Sequence, residues 1–227
     1  MMHKVILGAL LVTAMARVAS AQDTTALIAG DRAANAELSK IIDGARANGL
    51  PVEPILAKVN YGVLMKAPAA RIIAAVRGTA ARLEEARAAL APNPTNADIA
   101  AGENALSSNV SVKSLKEIRG IAKNRPMAVP LGLLSQLVVS GVEEPKATKI
   151  VASLIRNGAS VQQLAEVGND FSSLVLGGLK PDNAIDLRAN RLYAVLGVPT
   201  GSASAAGDQH SLQAGPSSPT PPGKKKP

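Results

Sequence analysis

The sequence predicts an all-α fold of about nine short-to-medium helices, arranged as an orthogonal bundle or as an α-solenoid-like, helical-repeat stack. Three observations predict it. Apolar residues recur at helical spacing: Ala147, Ile150, Val151, Leu154 and Ile155 form one stripe, and Leu164, Val167, Phe171, Leu174 and Val175 form the next. The punctuation between stripes is uniform, with Gly141-Val142, Gly158-Ala159 and Gly178-Leu179 soon followed by Pro145, Ser160 or Pro181. Glycine closes a helix in the left-handed conformation, the next apolar residue packs back on the last turn, and Pro or Ser opens the following helix. Finally, the chain is rich in Ala and Leu and has only Tyr61, Phe171 and Tyr193 as aromatics, a composition that suits helices better than strands.

Taken in order, residues 1–21 read as a secretory signal peptide. Lys4 gives a basic start, Val5 to Ala16 an apolar run, and Ala19-Ser20-Ala21 a small-residue cleavage site before Gln22. The apolar run falls short of the roughly 20 residues that span a bilayer, so no transmembrane segment is expected in the mature chain. Removing Lys4 and Arg17 lowers the formal charge from +8 to +6, a mild excess that implies no general affinity for polyanions. There is no cysteine, hence neither a disulfide framework nor a lipid-modified N-terminal Cys. These features place the protein outside the cytoplasm, in the periplasm or extracellular space of a bacterium.

A helical domain is expected over residues 22–197. Its first helix runs from Gln22 to Asn48 with Leu38, Ile41, Ile42 and Ala45 inward, and ends at Gly49-Leu50-Pro51. A short second helix carries Val52, Ile55, Leu56 and Val59 and stops at Gly62-Val63. The third, from Pro68, turns Ile72, Val76, Thr79, Leu83, Ala86 and Leu90 inward until Pro92 and Pro94 end it. Its other face mixes Arg71, Arg77, Arg82, Glu84, Glu85 and Arg87, the alternation of a solvated surface. Thr95 with Asp98 forms a capping box for a fourth helix to Ser108. Asn109 then takes the glycine role, and its Asn-Val-Ser triplet is junction chemistry rather than a glycosylation site. A fifth helix, with Val112, Leu115, Ile118 and Ala122, runs to the break at Asn124-Arg125-Pro126. Four more follow, the last from Pro181 to about Leu196 with Ile185, Ala189, Leu192 and Leu196 inward.

Pro51, Ile55, Val59, Gly62 and Val63 match Pro130, Leu134, Val138, Gly141 and Val142 at a constant offset, a hint of internal duplication around residues 51–77 and 130–155. Residues 198–227 are Gly, Ser, Ala and Pro with almost no large apolar side chain. Such a segment buries too little to offset its ordering entropy and is expected to be a disordered tail. Its terminal Lys224, Lys225 and Lys226 suit at most a weak contact with an anionic surface.

Chemical signatures are mostly missing. Nucleophilic triads and His/Cys metal sites need residues the mature chain lacks, its one histidine being His210 in the tail. No phosphate loop, dinucleotide fingerprint or calcium loop occurs, so no catalytic, cofactor-binding or metal-ligating residue is assigned and no cofactor is expected. Carboxylates remain, as Glu84 with Glu85, Glu143 with Glu144, and Asp182 with Asp186. Paired carboxylates suffice for glycoside hydrolysis, yet adjacent residues face different sides of a helix, and Asp182 suits a first turn for reasons of the helix dipole. The segment from Ala147 to Leu176 resembles the helix-turn-helix pattern of bacterial DNA-binding regulators. The resemblance would imply base contacts from its second helix, but Asn169 to Leu176 has no basic residue to make them, and the leader directs the chain away from the chromosome, so no nucleic acid partner is expected. The expectation is therefore an exported, non-catalytic helical protein, a protein-interaction or structural component of the cell envelope. Its partner is expected to be another envelope protein, met on the concave side of residues 130–196. A carboxylate-dependent envelope hydrolase acting on cell-wall glycan is the alternative.

Overall fold

The computed structural model of the chain describes residue 28 and residues 31–198. Among these residues there are nine α-helices and no strand: α1 (Arg32–Ala47), α2 (Glu53–Leu64), α3 (Ala69–Ala89), α4 (Asn96–Ser107), α5 (Val112–Ala122), α6 (Ala128–Val139), α7 (Glu144–Arg156), α8 (Val161–Leu176) and α9 (Pro181–Val195). The segment expected to be a signal peptide, with the expected cleavage residues Ala19, Ala21 and Gln22, and the residues from 199 onward, with His210 and Lys224 to Lys226, lie outside the described residues.

Seven of the helices end in one way. The residue after the left-handed position donates its N–H to the carbonyl five residues back, as in Leu50 to Ala45, Val142 to Leu137 and Ala159 to Leu154, at 2.9–3.0 Å. That bond satisfies a terminal carbonyl which the helix itself leaves free, and every residue making it is apolar. Glycine holds the left-handed position at residues 49, 141, 158, 178 and 197, and Asn109 holds it after α4. After α2 the position is Lys66, with φ 52°. Helix α3 instead runs into the cis Ala91–Pro92 peptide, and α5 stops at Lys123, φ 54° and ψ −113°.

The capping boxes form as expected. Thr95 Oγ1 accepts from the Asp98 N–H at 3.1 Å while Asp98 Oδ2 accepts from the Thr95 N–H at 3.2 Å, and Ser160 and Gln163 exchange the equivalent pair at 3.1 and 2.8 Å. Two expected boundaries differ. Asp31 is extended and caps α1 by accepting from the Ala34 N–H at 2.9 Å, so α1 begins at Arg32 rather than continuing from Gln22. Helix α2 passes through Gly62 instead of stopping there. A Cβ on Gly62 would lie 2.7 Å from Ile72 Cγ1, so this glycine provides clearance for α3 and not a turn. Gly141, its counterpart in the internal comparison, is a true left-handed stop.

Helix α3 packs on α1, α2, α4 and α5; further along, α4 packs on α6, α5 on α7, α6 on α7 and α8, and α9 on α7 and α8. Two hydrophobic clusters result. One gathers Leu38 and Ile42 of α1, Ile55 and Val59 of α2, Ile72, Val76 and Leu83 of α3, and Ile99. The other runs from Ala86 and Leu90, at the end of α3, through Leu115, Leu134, Leu154 and Phe171 to Ile185 of α9. Each fully buried Leu, Ile or Phe contributes roughly 1.5–3 kcal/mol. Between them, buried Asp98 ties the start of α4 to the start of α6, its Oδ1 accepting from the Met127 N–H at 2.7 Å.

Candidate functional site

The carboxylates singled out from sequence go to separate places. Glu84 and Glu85 are both exposed on α3, and Glu84 does no more than meet the Asn48 amide at 3.5 Å. Asp182 and Asp186, one turn apart on α9, both accept from Lys146 Nζ at 2.9 Å and so tie α9 to α7. Desolvation alone would lower the pKa of this lysine, but bonding to the two aspartates outweighs it and holds the ammonium above its ordinary 10.5.

Glu143 is exposed at the N-terminus of α7, whereas Glu144 turns toward α5. Its Oε1 accepts from the Ser111 N–H at 2.8 Å and from Ser114 Oγ at 2.7 Å, and Ser114 Oγ in turn meets Thr148 Oγ1 at 3.0 Å. The carboxylate thus sits at the positive end of α5. Partial desolvation opposes its charge, but the Ser111 and Ser114 donors with Lys113 nearby hold it below its ordinary 4.5. Glu144 and Glu117 line one shallow cleft of about 240 Å³. Glu117 as a second carboxylate in the Glu144 cleft was not legible in the sequence, because the two lie 27 positions apart with helix α6 between them. Among the described residues no group of His, Cys, Asp or Glu is arranged to hold a metal ion.

Exposed apolar side chains make a clearer pattern. Leu187 and Val195 stand on the outer face of α9 with Arg191 between them at four-residue spacing, and Leu176 and Leu179 are exposed at the α8–α9 turn. The groove beside this stripe has both signs of charge, with Glu166, Asp170, Arg188 and Arg191 on its walls and an Arg188–Asp170 ion pair across it.

The second exposed cluster lies at the tip of the α2–α3 hairpin and differs in charge. Tyr61, Leu64 and Met65 fall at i, i+3 and i+4 on the last turn of α2 and are 60, 76 and 60% exposed. They lie off the buried line of Ile55, Val59 and Gly62 because helical spacing carries them to another face. Beside them a cleft of about 510 Å³ is floored by Gly62 and Ile72 and walled by Lys58, Lys66 and Arg71, with no carboxylate in its lining. None of these three cations has an ion-pair partner among the described residues. A second basic hollow, at Lys123, Arg125 and Arg156, lacks exposed large apolar side chains, and its Arg125 is spent on the Ile155 and Ala159 carbonyls. The α2–α3 tip had a sequence signal, since three large apolar residues sit off the buried stripe of a short helix.

No protein family, curated protein or solved structure compared with this chain matches it. The helix-turn-helix-like segment folds as α7 and α8, and α8 carries no Lys or Arg.

Proposed function

We propose that the chain is an exported, non-catalytic helical protein of the bacterial cell envelope that works by holding a partner protein, its helices stacked in the α-solenoid manner. Support for the stack comes from the ladder of neighbours in which α1, α3, α5, α7 and α9 pack in succession, with α4, α6 and α8 forming a second row. The observation that carries partner binding is the outward stripe of Leu187, Arg191 and Val195 on α9, with Leu176 and Leu179 also exposed at the α8–α9 turn. An apolar centre with a rim of both charge signs is the composition of a protein–protein contact. This stripe replaces the concave side of residues 130–196 with a specific face in the same region.

The experiment is a photo-crosslinking side chain placed at Leu187 or Val195 in growing cells, with Leu64 as the comparison position. A discrete adduct from the α9 positions, lost on Leu187→Ser with Val195→Ser, is expected. No adduct from α9, or one indifferent to the serine substitutions, sinks partner binding through this face. Export itself is checked by sequencing the N-terminus of the protein recovered from the cell, with Gln22 expected first.

The alternative, a carboxylate-dependent hydrolase, draws on Glu117 and Glu144 lining one cleft. The Glu144 Oε1, however, is occupied by the Ser111 N–H at 2.8 Å and by Ser114 Oγ at 2.7 Å, both donors at the start of α5. That favours a bracket between helices. Cell-wall glycan cleavage that disappears in Glu144→Gln or Glu84→Gln would restore the hydrolase.

A further inference from the structure

We infer that the tip of the α2–α3 hairpin is a peripheral docking site for an anionic lipid bilayer. This is a face distinct from the α9 stripe. Three observations converge on it. Tyr61, Leu64 and Met65 are mostly exposed where a helix ends, so their apolar surface projects outward and is left unburied by α3. Lys58, Lys66 and Arg71 line one cleft with Tyr61 and Met65, without carboxylates in the lining and without ion-pair partners among the described residues. Lysine also occupies the left-handed position of this turn. At the other six junctions of the same build that position is Gly or Asn, and a side chain there is strained. Strain retained at a surface position is the mark of a side chain kept for what it contacts.

The chemistry fits a lipid surface closely. Apolar side chains enter the acyl boundary, Tyr rests at the headgroup level with its ring in the apolar layer and its hydroxyl in water, and long cations reach the phosphates while their stems stay apolar. A protein partner of mixed charge would leave three cations uncompensated here, unlike at the α9 groove. Among the described residues no helix is long and apolar enough to cross a membrane, so the contact rests on the surface. One apolar tip with three cations gives reversible attachment.

The chain has no cysteine, so Leu64→Cys supplies a single site for an environment-sensitive dye, and Leu187→Cys a control on α9. The probes are vesicles of phosphatidylglycerol with phosphatidylcholine, and of phosphatidylcholine alone, mixed with the chain as recovered from the cell. The dye at residue 64 is expected to shift to the blue with the anionic vesicles only, and the dye at residue 187 to stay in water. Binding should weaken by at least about 25-fold in Lys66→Glu with Arg71→Glu, roughly fivefold for each cation lost and more for the carboxylates added, and weaken further in salt. Leu64→Ser with Met65→Ser, read by co-sedimentation with the same vesicles because it carries no dye, should reduce it while far-UV circular dichroism stays unchanged. Absence of any shift overturns the proposal. So does binding that survives the Lys66/Arg71 reversal but is lost when Lys224, Lys225 and Lys226 become serine. A shift with an acidic amphipathic peptide of Glu and Leu, but none with vesicles, also overturns it and assigns the cleft to an acidic protein segment.

Discussion

Lys66 has the backbone geometry that glycine supplies at five equivalent junctions. Replacing it by Gly relieves the steric conflict of its Cβ, and stability should rise by about 0.5–1 kcal/mol in urea unfolding, while attachment to anionic vesicles weakens. Opposite signs in one variant separate what the lysine does for folding from what it does at the surface. Two ionisable residues have shifts that make local contacts depend on pH. Glu144 has its carboxyl held below 4.5, so its contribution is complete above pH 4.5 and is lost as pH falls through the lowered value. The melting-temperature gap between the wild type and Glu144→Gln should therefore be steady above pH 5 and close in acid. Lys146 is the mirror case: held above 10.5, it stabilises below that pH, and the link between α7 and α9 weakens as pH rises through the raised value.

At the scale of the helix, glycines divide by what surrounds them. A Cβ on Gly102 would stand 2.8 Å from Ala86 Cβ and 3.0 Å from Leu90 Cδ1, whereas one on Gly120 or Gly132 meets nothing within 4 Å. Gly102→Ala should cost about 1–3 kcal/mol by forcing α4 off α3. Gly120→Ala and Gly132→Ala should each add about 0.5–1 kcal/mol by helix propensity, all three being read from denaturant midpoints. The same division explains what was legible beforehand. The stripes, the Thr95 and Ser160 boxes and the Gly-plus-apolar stops mark elements well because each is a local device within six residues. Gly62 misleads because a Gly-Val pair looks the same whether the glycine turns the chain or makes room for Ile72. Lys66 was hidden since lysine carries no turn signal, and the second bond of Asp98, to Met127, crosses to another helix. At the α2–α3 tip the apolar residues standing off the stripe are visible in the sequence, but the cleft and the cations gathered beside them depend on how α2 packs on α3.

Across the whole molecule, α3 and α4 are shared by both hydrophobic clusters, Ile72, Leu83 and Ile99 lying in one and Ala86, Leu90 and Ala105 in the other. Ile55 is fully buried in the first. Ile55→Ala should cost about 2–5 kcal/mol, and amide exchange should quicken in α1 and α2 while α6 to α9 keep their protection, because Ile55 lies in the first cluster and α6 to α9 contribute to the second. Equal loss of protection in all nine helices would refute that division. The ladder of packing partners also governs time. The principal neighbours of every helix lie within two helices of it along the chain. Helix α3 therefore has its main contacts once α5 has been synthesised, and assembly can keep pace with a chain that is delivered from one end. Few distant segments need to find one another, so refolding from denaturant should finish within microseconds to milliseconds, fast enough to limit the interval in which unfinished apolar faces meet other molecules.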